Sequence, residues 1–116
     1  MRYIKYFEDI RLSDVKTVGG KNASLGEMIT QLSSQGIRVP TGFAIIADAY
    51  WHYLESNQLL EKMKQIMNQL HDSDNVAVLQ KVGSDIRHLI LNGRMPDDLV
   101  EDKVVGLILL RQIEFL

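Results

Sequence analysis

The chain has 116 residues, 46 % hydrophobic and 24 % charged, which suits one domain of ordinary globular composition. A formal net charge of −2, with Lys and Arg scattered, excludes the basic stripe on which nucleic-acid binding depends. The absence of cysteine excludes disulfides, thiolate nucleophiles and Cys-based zinc sites, and a reducing, cytoplasmic compartment is expected.

The first nine residues, Met1 to Asp9, alternate charged and apolar side chains and lack the apolar core of a signal peptide. Within them Tyr3 to Phe7 is rich in aromatic and β-branched residues and reads as a short strand. Ser13 and Asp14 begin a polar connection that runs to Gly19, Gly20 and Lys21. Leu25, Met28, Ile29 and Leu32 then fall on one face of a helix, which Gly36 ends with a left-handed cap. Pro40 pushes Val39 out of helical space, and Gly42 relaxes the backbone before a buried strand, Phe43 to Ile46. Asp48 is placed to cap a helix through Tyr50, Trp51, Tyr53 and Leu54.

Two further helices follow. Leu59, Met63, Ile66, Met67 and Leu70 share the apolar face of the first, and Leu79, Val82, Ile86, Leu89 and Ile90 that of the second. The polar break between them, His71 to Asn75, has capping chemistry. Asn92-Gly93 closes the second, and Pro96 opens another helix whose positive end Asp97 and Asp98 match. The expected class is α+β: a small sheet with four or five helices. The densest apolar run, Val104 to Leu110, is seven residues long, against about 20 for a membrane helix, so no membrane association is expected.

One stretch carries chemistry. Gly19 and Gly20 at a helix start would expose backbone N–H groups without Cβ obstruction, and the helix dipole there attracts an anion such as phosphate. Lys21 adds a mobile cation able to follow a phosphoryl group. On spacing alone, the same residues fit a flexible turn with a solvated lysine. The Walker A and dinucleotide-binding glycine patterns are both absent.

The other candidates read as structural. His52, His71 and His88 lack ligand spacing, so no metal site is expected. Met63 and Met67 read as core, and the Tyr50, Trp51, Tyr53 cluster as a seal of helix against sheet in preference to a platform for a base. Arg87 and Arg94 are the remaining cations to watch near a phosphate.

Taken in order, Val18-Gly19-Gly20-Lys21-Asn22-Ala23-Ser24-Leu25-Gly26-Glu27-Met28, then Gly36-Ile37-Arg38-Val39-Pro40-Thr41-Gly42-Phe43-Ala44, then Asp48-Ala49-Tyr50, resemble the opening of the dikinases that make phosphoenolpyruvate. The wording looks closest to the phosphoenolpyruvate synthase (pyruvate, water dikinase) branch; pyruvate phosphate dikinase and rifampin phosphotransferase share the outline. The resemblance implies the first subdomain of an ATP-grasp-like nucleotide-binding domain, with ATP and magnesium as cofactors. Lys21 would meet the phosphates, with Gly19 and Gly20 shaping the turn. It also implies a phosphohistidine relay to pyruvate on domains beyond this segment, so no catalytic residue and no metal ligand is assigned here. Val39 to Phe43 would be scaffold.

By this resemblance, residues 1–101 form a partial N-terminal nucleotide-binding domain, and residues 102–116 form a divergent apolar tail. Nine of the thirteen residues from Val104 to Leu116 are apolar without a clean period. A buried last helix in a domain that diverges would account for this, but the preferred expectation is that truncation or a reading-frame shift replaced the family's continuation, which leads to an Arg-Ser-Ser-Ala segment. Such a tail would fold back on the core or drive self-association. Two alternatives stay open: a fragment of a rifampin phosphotransferase-like enzyme, or a non-catalytic helical interaction module.

Overall fold

The computed structural model describes residues 2–71 and 75–114, with side chains as far as residue 109. The expected turn residues Asp72, Ser73 and Asp74, and the final Phe115 and Leu116, lie outside the described residues. Among the described residues are two strands, β1 (Ile4–Tyr6) and β2 (Phe43–Ile45), and six α-helices. These are α1 (Val15–Val18), α2 (Gly20–Ser34), α3 (Ala47–Ser56), α4 (Leu59–Met67), α5 (Val76–Leu91) and α6 (Asp97–Glu114). The class is α+β, as expected. The helix beyond the expected four or five is α1, a single turn inside what reads in sequence as a polar connection.

The described chain divides into two units, one holding the residues up to Tyr50 and those from Asp97 onward, the other Trp51–Pro96. In the first unit β1 and β2 pair antiparallel, with Ile4 opposite Ile45, Lys5 opposite Ala44 and Tyr6 opposite Phe43. The ladder extends at both ends, because the Phe7 amide donates to Gly42 O at 3.0 Å and the Ile46 amide to Tyr3 O at 2.9 Å. Opposed residues share a face. Ala44 therefore turns toward Ile10, Val18 and Ala23, which form one buried cluster edged by Phe7 and Ile46.

The opposite sheet face carries Ile4, Tyr6, Phe43 and Ile45, and α6 meets it through a glycine. A Cβ on Gly106 would stand 2.5 Å from Ile4 Cδ1 and 3.3 Å from Phe43 Cε1, and Tyr6 Oη donates to Gly106 O at 3.2 Å. Farther along α6, Leu99 joins Tyr3 and Ala49 in a second cluster. The Asp102 carboxylate accepts from the Arg2 and Tyr3 amides, both at 2.8 Å. The helix runs without a break through Glu101 and Asp102.

β2 is less buried than its composition suggests: Ile45 remains 44 % exposed, because the close contact of α6 at Gly106 reaches Ile4 and Phe43. Gly42 also departs from its expected role. Its φ is not positive; its missing Cβ leaves room for the Phe7 ring, whose Cε2 would lie 2.9 Å away. Asp48 lies inside the first turn of α3 and not at its cap, where its charge still faces the positive helix end.

In the second unit α4 packs against α5, and Leu54, Leu59 and Val82 are buried. The expected apolar stripes hold in outline, with Met63, Ile66, Leu70, Ile86, Leu89 and Ile90 half-buried. Met67 and Leu79 stand about half exposed, at 49 % and 51 %. Asn75 caps α5 by accepting from the Val78 amide at 3.1 Å. The aromatic cluster does not act as one: Tyr50 and Trp51 are exposed, while Tyr53 Oη donates to Ile90 O.

Candidate nucleotide-phosphate site

The motif sits on an elbow between α1 and α2. Gly19 has φ 85° and ψ 161°, a conformation open essentially to glycine alone, and it serves as the N-cap of α2. Its amide closes α1 by donating to Val15 O at 2.8 Å, and its carbonyl accepts the first bond of α2 from the Ala23 amide at 3.0 Å. The amides of Gly20, Lys21 and Asn22 therefore precede the helical bonding pattern and form the positive end of a 15-residue helix. A Cβ built on Gly19 or Gly20 would meet no atom within 4 Å, and both glycines are exposed. Lys21 is exposed and, among the described residues, makes no ion pair or hydrogen bond.

The rest of the motif packs. Asn22 Nδ2 donates to Val18 O at 2.9 Å, satisfying the end of α1 and tying the elbow. Ala23 is fully buried, and Gly26 lets α2 touch the preceding loop: a Cβ there would stand 2.6 Å from Ile10 Cβ and 2.7 Å from Ile10 O. The inward face of α2 is thus the small pair Ala23 and Gly26. Of the expected apolar face, Leu25, Ile29 and Leu32 are half-buried and Met28 is 45 % exposed. Glycine and alanine win the inward position because the backbone of the loop comes too close for anything larger. At its far end α2 closes in a Schellman motif, with Gly36 at φ 78° and the Ile37 amide donating to Leu32 O at 3.1 Å.

A polar lattice holds the loop that leads into the elbow. Arg11 Nη1 donates to Glu8 O at 2.8 Å, Ile10 O at 2.9 Å and Thr30 Oγ1 at 3.0 Å, while Glu27 Oε2 accepts from the Leu12 amide at 3.3 Å. Asp14 Oδ2 accepts from the Arg11 amide at 2.8 Å and lies 3.2 Å from Lys5 Nζ. The Arg11 amide bond, then the Lys5 ammonium, hold the Asp14 carboxyl below its ordinary pKa. Sequence reasoning passed over Arg11, Asp14, Asn22 and Glu27 as support. Asn22 had a legible signal, an amide side chain four residues after a helix-end carbonyl; the others depend on tertiary placement.

Arg87 and Arg94 both belong to the second unit, where the Arg94 backbone is held by Asn57. Among the described residues no group of three or more His, Cys, Asp or Glu side chains could hold a metal ion, and no helix is long and apolar enough to cross a membrane.

The elbow brings the first turn of a helix and an exposed lysine together, and comparison with known sequences gives the chain's class. Residues 15–108 match the family described as pyruvate phosphate dikinase, AMP/ATP-binding domain, and the chain belongs to that family. Among curated relatives it resembles the phosphoenolpyruvate synthase of Neisseria meningitidis serogroup B, at 48 % identity over 97 residues covering 84 % of this chain and 12 % of that protein. The Helicobacter pylori phosphoenolpyruvate synthase is 41 % identical over 102 residues, covering 88 % and 12 %, and that of Escherichia coli K12 is 40 % identical over 89 residues, covering 77 % and 11 %. The chain therefore spans about an eighth of the length of these relatives.

Proposed function

We propose that this chain is the N-terminal part of the ATP-binding region of a phosphoenolpyruvate synthase, a pyruvate, water dikinase of the cytoplasm. In this reading it is the first subdomain of an ATP-grasp-like nucleotide-binding domain. The amides of Gly20 and Lys21, freed by the turn at Gly19, hold a phosphate of ATP, and the Lys21 ammonium offsets charge on the phosphoryl group being transferred. Magnesium, pyruvate and the phosphohistidine relay belong to parts of the enzyme beyond this segment. The complete reaction converts ATP, pyruvate and water to phosphoenolpyruvate, AMP and phosphate. The observation that carries the reading is an exposed lysine, unpaired among the described residues, in the first turn of a helix inside a segment matched by an AMP/ATP-binding family.

The test is a chimera in which residues 15–101 replace the matching segment of the Neisseria relative. The chimera should form phosphoenolpyruvate, and Lys21→Ala within it should lower kcat/KM for ATP about 100-fold or more, the scale of a lost electrostatic donor at a transferring group. A Lys21→Ala chimera as active as the one that keeps the lysine would sink the assignment. For the chain alone, weak or undetectable ATP binding and no turnover are expected, and micromolar affinity by titration calorimetry would contradict this. We also infer self-association through α6, supported by the outward Val104, Leu107 and Ile108, which are 49 %, 58 % and 53 % exposed.

A further inference from the structure

A cleft of about 520 Å³ lies within the second unit, lined by Asn57, Leu59, Lys62, Ile66, Asp85, His88, Leu89, Asn92 and Gly93. Its volume falls among those of small-molecule sites. Two helix faces build it. Leu59, Lys62 and Ile66 follow one another at helical spacing along α4, and Asp85, His88 and Leu89 do so along α5, with Asn92 at its C-cap. Facing surfaces of packed helices are ordinarily apolar, and this pair places an ammonium, a carboxylate and an imidazole around an apolar floor of Leu59, Ile66 and Leu89.

The polar groups are available. Among the described residues Lys62 and Asp85 pair neither with each other nor with any other side chain, although both line the same cleft. His88 Nδ1 lies 2.8 Å from Ser84 O and 3.4 Å from Ser84 Oγ, and since a carbonyl only accepts, the tautomer that bonds Ser84 O is the one protonated at Nδ1. In the neutral ring Nε2 is then a bare acceptor. Asn57, in the lining, is held in place: its Nδ2 donates to Tyr53 O and Arg94 O, both at 2.9 Å, and its Oδ1 accepts from the Arg94 amide at 2.7 Å.

We propose that this cleft binds a small zwitterion with an apolar side chain, an α-amino acid of about the size of leucine. Its carboxylate would meet Lys62, its ammonium Asp85 and the Nε2 lone pair of His88, and its side chain the Leu59, Ile66 and Leu89 floor. Two opposite charges that share one cleft without pairing are complementary to a ligand carrying both, and a singly charged ligand leaves one of them unmatched. The site is separate from the Lys21 elbow and does not rest on the nucleotide reading.

The test titrates the whole chain with L-leucine, isoamylamine and 4-methylpentanoate, following backbone amide shifts by NMR. Leucine should give saturable shifts confined to residues 57–66 and 85–93, with at least tenfold weaker binding for the amine, which lacks the carboxylate, and for the acid, which lacks the ammonium. Lys62→Gln should abolish the preference for leucine over isoamylamine, and Asp85→Asn its preference over 4-methylpentanoate. Absence of saturable shifts with leucine at tens of millimolar, or equal affinity for all three compounds, would overturn the proposal, as would variants that keep both preferences. Should a variant fail to fold, the three-ligand comparison on the unmodified chain decides alone.

Discussion

Replacing Gly26 with alanine puts the packing of the motif to the test. The added Cβ would fall 2.6 Å from Ile10 Cβ, 2.7 Å from Ile10 Cγ2 and 2.7 Å from Ile10 O. Unstrained contacts between carbon atoms lie near ~3.5–4.0 Å, so α2 and the loop must separate by roughly 1 Å. Two of the three atoms are backbone or Cβ of a fully buried residue and have no rotamer escape. Overpacking of this kind costs about 3 kcal/mol at the upper end of its range, and alanine's helix advantage over glycine returns about 1 kcal/mol. The net loss is about 2 kcal/mol, a fall of roughly 8–16 °C in Tm for a unit of this size. Amide signals of Ala23 and Ala44 followed through a urea titration report the first unit, and that of Val82 the second; the loss should be confined to the first. Ile10→Ala keeps the Cβ and carbonyl that obstruct position 26, so the double variant should be no more stable than Gly26→Ala alone. Gly20→Ala is the control, because a Cβ there meets nothing within 4 Å. A Gly26→Ala chain as stable as the original, or a rescue by Ile10→Ala, would refute the close-approach argument.

Other consequences follow from the same geometry. Because the folded state holds the Asp14 carboxyl below its ordinary pKa, its contribution to stability is complete above about pH 4 and fades as pH falls through the folded value. Unfolding midpoints measured from pH 6 to pH 2 should thus drop less steeply for Asp14→Asn than for the original chain, and parallel curves would contradict the Lys5–Asp14–Arg11 arrangement. Asp102→Ala removes a carboxylate that accepts from two amides and should destabilise the chain by about 2 kcal/mol in chemical denaturation. An effect under about 0.5 kcal/mol would mean that α6 is not anchored there. Sedimentation velocity should show a concentration-dependent increase in mass that Leu107→Ser with Ile108→Ser suppresses; a monomer at every concentration would remove the case for self-association.

Periodicity and punctuation made much of the fold legible. The stripe containing Leu59, Met63 and Ile66, the cap at Asn75 and the helix end at Gly36 each follow from local chemistry, which acts the same wherever the segment lies. What escaped is tertiary. Hydrophobicity marked Leu25, Met28, Ile29 and Leu32 as the inner face of α2, but distance of approach decides that face, and the loop at Ile10 comes so near that Ala23 and Gly26 must occupy it. Likewise α1 hides in a polar stretch because it is one turn long, held by Gly19 and Asn22 and not by an apolar stripe.

The same distinction divides the motif itself. Of the run from Gly19 to Met28, the stretch from Asn22 onward is accounted for by packing: a carbonyl satisfied by Asn22, a core position at Ala23, a close approach at Gly26, a loop amide held by Glu27. Gly20 and Lys21 have no such employment. Among the described residues neither a Cβ contact at Gly20 nor a partner for the Lys21 ammonium explains why those residue types stand there, while Gly19 turns the chain into the start of α2. On the proposed reading these are the residues whose replacement should change ATP use by the chimera while leaving stability within about 0.5 kcal/mol.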